Sequence, residues 1–385
     1  MSSRLAHVHP FHVMAILARA QQLAAAGHDV IHMEVGEPDF PTPAPIVEAG
    51  RQALADGKTF YTPALGIPAL REAIAAFYQQ RYGVTVSPRR IAVTTGASGA
   101  LLLTLSALLA AGDSVLLPDP TYPCNRHLVS LLDAEPLSVA VGPDTQYQLN
   151  AQHIAAHWQA NTVAAMIASP ANPTGTLISP TELAALYGAV KAQGRQLIVD
   201  EIYHGLTYGM DATTALACAD DIWVINSFSK YFQMTGWRLG WLVIPEAYID
   251  AVERVAQNVF LSAPTPAQYA ALAAFTPQTI ALLEERRQVF HQRRDVLLAA
   301  FSEIGFRFPT QPQGAFYAYA DVSDLCDNSA TLAANLLEHT HVALTPGKDF
   351  GQHGATQHLR LAYTCDEARI RQAAARIGEY LQRQR

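Results

Sequence analysis

The chain has 385 residues, half of them apolar, with 26 Lys and Arg against 33 Asp and Glu and a formal net charge of −7. That length supplies ample core and points to two domains rather than one. The charges are mixed along the chain and form no basic stripe for nucleic acid. The most apolar run, Leu101 to Ala111, is broken by Thr104 and Ser106 and is far short of the roughly 20 residues a membrane-spanning helix needs.

A soluble protein acting on small molecules is the expectation, with no membrane or nucleic-acid partner. Cys124, Cys218, Cys326 and Cys365 are scattered without a CxxC pair, which fits a reducing, cytoplasmic setting and no metal site. Arg4, His7, His9, Pro10 and His12 stand where an export signal would place an unbroken apolar core, so none is expected.

Apolar residues at helical spacing from 11 to 26, ending at Gly27, predict an amphipathic helix with a glycine stop. Pro38, Pro41, Pro43 and Pro45 then exclude regular structure and mark a crossing between domains. Helices are expected over Ile46–Asp56 and Ala69–Tyr82, a strand over Ile91–Thr95, a helix over Gly99–Ala110, a strand over Ser114–Leu117 and a helix around Asn125–Leu132. A strand at Ala164–Ala168 follows, then a helix announced by Ser179, Pro180 and Glu182. Strands at Gln196–Val199 and Trp223–Ile225 complete the pattern.

Strands alternating with helices predict an α/β fold whose mostly parallel sheet is sandwiched by helices. Ligands then bind beyond the carboxyl ends of the strands. A long helix over Gln278–Phe301 leads to strands at Ala315–Ala320, Val342–Leu344 and His358–Tyr363 and to a terminal helix through Leu381. The expected division is a large domain at 45–277 and a smaller α+β domain made of 1–44 and 278–385.

Lys230 follows an apolar strand and a small-polar turn, Asn226-Ser227-Phe228-Ser229. A lysine there is either a solvated loop charge or, if walled by apolar groups, an amine with a lowered pKa able to form a Schiff base. Thr95 to Ala100 lies between a strand and a helix, so its backbone N–H groups can meet an anion; Ser98 can equally be a plain N-cap. Asp200 ends a strand, and a cation placed about 4 Å away would gain ~4 kcal/mol at an effective dielectric of ~20; an ordinary acidic loop residue is the alternative, as for Glu201. Asn172 among prolines can be a directed amide or a turn Asn, and Tyr122, with prolines on either side, reads as a rigid turn with a surface tyrosine. Arg360 alternates with Leu359 and Leu361, which puts it on the opposite face of the strand, where it could face water.

Three strings go further. Ser227-Phe228-Ser229-Lys230 followed by Met234-Thr235-Gly236-Trp237-Arg238-Leu239-Gly240, Asp200-Glu201-Ile202-Tyr203, and Ser169 to Gly175 closely resemble the motifs of the class I/II aminotransferases, enzymes of fold type I that use pyridoxal phosphate. The resemblance runs from about residue 30 to 365. It implies that Lys230 carries the cofactor, that Asp200 pairs with its ring nitrogen, and that Asn172 and Tyr203 donate to its phenolic oxygen. Ala97, Ser98, Ser227, Ser229 and Arg238 would hold the phosphate and Tyr122 would stack on the ring. Tyr61 would reach the phosphate of a neighbouring subunit, which implies a homodimer with shared sites.

Arg360 and the backbone of Gly36 would bind the carboxylate of an L-amino acid or 2-oxo acid, with Gly314, Ala315 and Phe316 lining the pocket. Ser98 stands where several bacterial aspartate aminotransferases of the family have a lysine. An apolar or aromatic donor, with 2-oxoglutarate or pyruvate as acceptor, is therefore expected, unless Arg126 or Lys58 reads a second carboxylate. Two alternatives keep the cofactor: a carbon–sulfur β-lyase, and a non-catalytic sensor, which would need an N-terminal winged-helix module for which no room is expected. A nicotinamide enzyme would need a G-x-G-x-x-G after the first strand, which is missing.

Overall fold

A computed structural model describes residues 8, 10, 12–210 and 212–384. Arg4, His7 and His9, and Phe11 at the start of the first expected helix, lie outside the described residues. Strand β1 (Ile31–His32) comes first, and seven later strands form one sheet: β2 (Ile91–Thr94), β3 (Ser114–Asp119), β4 (Glu135–Ala140), β5 (Thr162–Ala168), β6 (Gln196–Asp200), β7 (Trp223–Ser227) and β8 (Gly240–Val243). Their order is β2-β8-β7-β6-β5-β3-β4. β8 alone pairs antiparallel with both neighbours, while β7, β6, β5, β3 and β4 pair in parallel.

The strands are apolar on both faces because both faces are covered. In β7, Val224 belongs to one core cluster while Trp223 and Ile225 belong to the other; in β6, Leu197 and Val199 point one way and Ile198 the other. Trp223 and Trp241 are fully buried. This is the predicted sandwich of helices on a mostly parallel sheet.

Two strands of this sheet escape the sequence pattern, as do the two-residue strands Ile31–His32 and Thr345–Pro346 outside it. β4 is an edge strand with only Val139 fully buried and with Pro136 on it, a composition that reads against a strand but is tolerated at an edge. β8 comes after the segment 228–239, in which Gln233 and Arg238 both have a φ of 56°, and Gly240–Val243 runs back between β2 and β7. Helices Ala151–His157, Ile249–Val259 and Thr265–Leu272 were also not singled out.

Beyond helix Pro277–Glu303, strand β9 (Tyr317–Asp321) joins a three-stranded antiparallel sheet with β11 (Thr345–Pro346) and β12 (His358–Ala362), while β10 (Val342–Ala343) pairs in parallel with β1. The residues around 31 thus pair with the C-terminal part of the chain, 311 positions away at Ile31 and Val342. Among the described residues no helix is long and apolar enough to cross a membrane.

The expected helix start at Ser179 is a full capping box. Ser179 Oγ accepts from Glu182 N–H at 3.2 Å, and Glu182 Oε2 accepts from Ser179 N–H at 3.2 Å. Ser179→Ala should cost about 1 kcal/mol, seen as an earlier denaturant midpoint with an unchanged slope. An unmoved midpoint would show that the box carries no stability.

Candidate active site

Five parallel strands deliver residues to one cavity of about 320 Å³, within the range of small-molecule sites. β2 is followed by Ala97 and Ser98, β3 by Tyr122, β5 by Asn172, β6 ends in Asp200 with Tyr203 beyond it, and β7 is followed by Ser229 and Lys230. All of these line the cavity, as do Gly36, Ser227, Arg238 and Arg360. Each parallel strand stops on the same edge of the sheet, so the side chains just past the strand ends converge.

Lys230 Nζ donates to the carbonyl of Gly36 at 2.6 Å and lies 6.0 Å from the ring of Tyr203. Burial pulls its pKa down to about 8; Arg360 and Arg238 push the same way, against Glu37 and Asp200. The alternative of a solvated loop lysine is excluded. Asp200 is 5% exposed, and burial pushes its carboxyl up to about 7 even though Oδ1 accepts from Ile202 N–H at 3.0 Å. Glu201 is equally buried but is turned away, accepting from Thr214 Oγ1 at 2.9 Å and from Ala215 N–H. The structure therefore separates two adjacent carboxylates that composition cannot.

Arg360 is buried in β12, not facing water. Its Nη1 donates to Asn172 Oδ1 at 3.0 Å and its Nη2 to the carbonyl of Glu34. The guanidinium lies 4.3 Å from the Tyr317 ring and 4.8 Å from the Phe350 ring. Its buried Nε has no partner among the described residues, so a donor aimed at an acceptor remains to be satisfied.

The opposite end of the cavity is built to approach an anion. The helix Gly96–Leu108 begins there, and Gly240 packs so tightly on it that a Cβ would lie 2.7 Å from the Gly96 carbonyl carbon. Arg238 reaches over the same turn, its Nη2 2.8 Å from where a Gly96 Cβ would be, with Nη1 donating to Thr235 O at 2.8 Å. Ser227 Oγ accepts from Ser229 N–H at 3.0 Å. Positive helix end, guanidinium and two hydroxyls together favour a phosphate.

Two expectations need correction. Gly314, Ala315 and Phe316 do not line the cavity; Tyr317 does, because Phe316 turns into the core between Phe290 and Tyr203. Tyr317 is the principal residue the sequence reading missed. Its hydroxyl is 3.0 Å from that of Tyr203, and a Cβ on Gly36 would lie 1.9 Å from it, so that glycine is required for contact with Tyr317 rather than for a turn. The alternation Tyr317-Ala318-Tyr319-Ala320 was the available signal.

Gly36 itself lines the cavity, its carbonyl accepting from Lys230 at 2.6 Å. Second, Arg126 and Lys58 do not line this cavity: Arg126 donates to Asp349 O at 2.6 Å and Lys58 lies 5.5 Å from the Tyr269 ring. Val13, Met14 and Leu17 of the first helix, also unforeseen, close the cavity with Leu101, Ile202 and Phe350. Tyr61 stands apart, 81% exposed. Among the described residues no cluster of His, Cys, Asp and Glu could hold a metal ion.

A sheet sandwiched by helices with a desolvated lysine and aspartate at neighbouring strand ends defines a fold type I enzyme. The family model for aminotransferases of class I and II matches residues 28–377. The valine–pyruvate aminotransferase of Mycobacterium tuberculosis is 39% identical over 378 residues, covering 98% of this chain and 97% of the relative. The aspartate/prephenate aminotransferase of Thermus thermophilus is 34% identical over 386 residues, 100% of this chain and 99% of the relative. A crystal structure of an aminotransferase from M. tuberculosis superposes with a TM-score of 0.96 at 39% identity, covering 100% of this chain and 99% of that one.

The chain belongs to the class I and II aminotransferases, a family dependent on pyridoxal phosphate. It is an aminotransferase, and the β-lyase and sensor alternatives are set aside, since relatives along its whole length carry aminotransferase names.

In protein freed of bound small molecules, reductive methylation of Lys230 should rise with a midpoint near pH 8. A midpoint above about 10, the value of a solvated lysine, would place the amine in water and remove the basis for its reactivity.

Proposed function

We propose that the cavity holds pyridoxal phosphate on Lys230 and transfers the amino group of an L-amino acid with an apolar side chain to a 2-oxo acid by a ping-pong route. The observation that carries this reading is the pairing of Lys230 and Asp200 across one buried space at the ends of β7 and β6.

The residues present fit the cofactor. Ala97, Ser98, Ser227, Ser229 and Arg238 would hold its phosphate at the helix start that Gly240 keeps open. Tyr122 would stack on the ring, and Asn172 and Tyr203 would donate to the phenolic oxygen. A ring cation placed against Asp200 would return that carboxyl to its ionised state, and Asp200 in turn would hold the ring proton. When bound, the cofactor supplies an electron sink for the pair left by the broken Cα–H bond of the substrate.

The chain's own residues do the rest. Arg360, steadied by Asn172 and stacked on Tyr317, binds the substrate carboxylate and uses the Nε left unpartnered. Lys230 takes the α-proton onto Nζ, a role open to an amine whose pKa lies near working pH. Donor and acceptor occupy the same cavity in turn.

Substrate class follows from the walls. Val13, Met14, Leu17, Leu101, Ile202 and Phe350 are apolar, and neither basic candidate for a second carboxylate reaches the cavity. This supports an apolar or aromatic donor, with pyruvate or 2-oxoglutarate as acceptor, in accord with the name of the mycobacterial relative. Exposed Tyr61 and Phe60 accord with a homodimer in which Tyr61 reaches the partner's phosphate, and four free cysteines with a reducing cytoplasm. Residues 45–277 would form the large domain, and 1–44 with 278–385 the small one.

A panel of L-amino acids added to the pyridoxal phosphate-loaded protein should bleach the aldehyde-form absorption fastest with valine, leucine or phenylalanine. Faster bleaching by aspartate would overturn the donor class, and a protein that stays colourless with added cofactor would overturn the cofactor assignment. Lys230→Ala should abolish transamination, and mixing it with an inactive Tyr61→Ala protein should restore part of the activity. No recovery in subunits shown to exchange would mean that sites are not shared.

A further inference from the structure

We propose that Asp349 is a positioning residue: its carboxylate seats the first turn of helix His12–Ala25 over the cavity and thereby sets the apolar wall that a substrate side chain packs against. The consequence for substrates rests on the apolar-donor reading above; the seating itself does not.

Asp349 is 3% exposed. Its Oδ1 accepts from His12 N–H at 2.7 Å and its Oδ2 from Val13 N–H at 2.8 Å, across 337 and 336 positions of sequence. Those are the first N–H groups of the helix, which has no intrahelical acceptor for them. The capping group therefore comes from the far end of the chain. A carboxylate is suited to the place, since the helix dipole presents partial positive charge there.

The rest of the helix is held differently. Its buried residues are Ala20 and Leu23, which pack with Leu337 and Ala343, and Arg19 pairs with Glu338 at 2.6 Å. Both anchors lie in the second half. Val13, Met14 and Leu17, which face the cavity, belong to the first half, and Met14 is 56% exposed. In the half that forms the wall, only Ile16 packs partly against that cluster, and its first turn is fixed by the two bonds to Asp349.

Asp349 can hold that half in place because its own loop is fixed. Asp119 at the end of β3 accepts from Gln352 N–H at 3.0 Å and from His353 N–H at 3.4 Å. A Cβ on Gly351 would lie 1.6 Å from Asp119 Oδ1, so only glycine lets the loop come this close. The carbonyl of Phe350 accepts from Thr121 N–H at 2.8 Å, and that of Asp349 accepts from Arg126 at 2.6 Å. The loop thus ties the wall to the strand end that also places Tyr122, and its Phe350 ring packs on Arg360.

The test compares wild type, Asp349→Ala and Asp349→Asn as cofactor-loaded enzymes, by amide hydrogen exchange and by kinetics with alanine, valine, leucine and phenylalanine. In Asp349→Ala, exchange across residues 12–19 should quicken about tenfold, the scale of a lost cap, while helix Ser329–Thr340 keeps its protection. The loss in kcat/KM should grow with donor side-chain size and fall mainly in KM. Asp349→Asn, which keeps the volume and one acceptor, should recover part of both effects and carries the test if the alanine variant does not fold.

Unchanged exchange in 12–19, or an equal loss for all four donors carried in kcat, would overturn the proposal. Faster exchange in 12–19 alongside a wild type that refuses apolar donors would support the seating and overturn the donor class instead.

Discussion

Water is kept from two opposite charges that the fold has placed at adjacent strand ends, and the rest of the site is arranged around that constraint. Lys230 and Asp200 are each driven toward their neutral forms by burial, the amine down and the carboxyl up. A buried charge is costly unless paired. Here the pairing partner for Asp200 is left to a ligand, while Glu201 next to it is satisfied by Thr214 and Ala215. The two adjacent acids thus differ in surroundings, Glu201 closed off by Thr214 and Ala215 and Asp200 open to the cavity.

The substrate end is solved by a different device. The Arg360 guanidinium lies over the rings of Tyr317 and Phe350 and gives two of its donors to Asn172 and Glu34. Asn172 comes from the large sheet, Glu34 from the segment after β1, and Tyr317 from β9. A single guanidinium thus joins parts of the chain 138 (172 − 34) and 188 positions apart.

How much of this was legible depended on range. Each strand end carrying chemistry was readable because strand, turn and functional residue are contiguous, as in Trp223 to Lys230 or Leu197 to Tyr203. β4 was hidden because an exposed edge strand has little apolar alternation, and β8 because it is four residues long and its antiparallel place between β2 and β7 is set by pairing that no local pattern specifies. Tyr317 and the wall of Val13, Met14 and Leu17 were missed for another reason. Tyr317 meets Tyr203 across 114 positions and the first turn of the wall helix is capped by Asp349 across 336, and local periodicity is silent on where a helix or strand will dock. Arg360 was placed by resemblance, yet its burial follows from β12 sitting between β9 and β11, which no local pattern specifies.

The site also has a thermodynamic sign. Asp200 has a folded pKa raised to about 7 from 3.8, so the folded state holds a proton that the unfolded chain releases; the stability it lends is present below about 4 and is lost as pH rises toward 7. Lys230, lowered to about 8 from 10.5, is held short of a proton that the unfolded chain binds, a disadvantage present below about 8 and removed as pH rises past 10. Near neutrality both groups therefore work against the empty fold. A ligand that brings a cation to Asp200 and takes Lys230 out of titration relieves both at once, and by linkage it must bind the folded chain more tightly for having done so. Relief of these two costs is one contribution to the affinity of the folded chain for such a ligand.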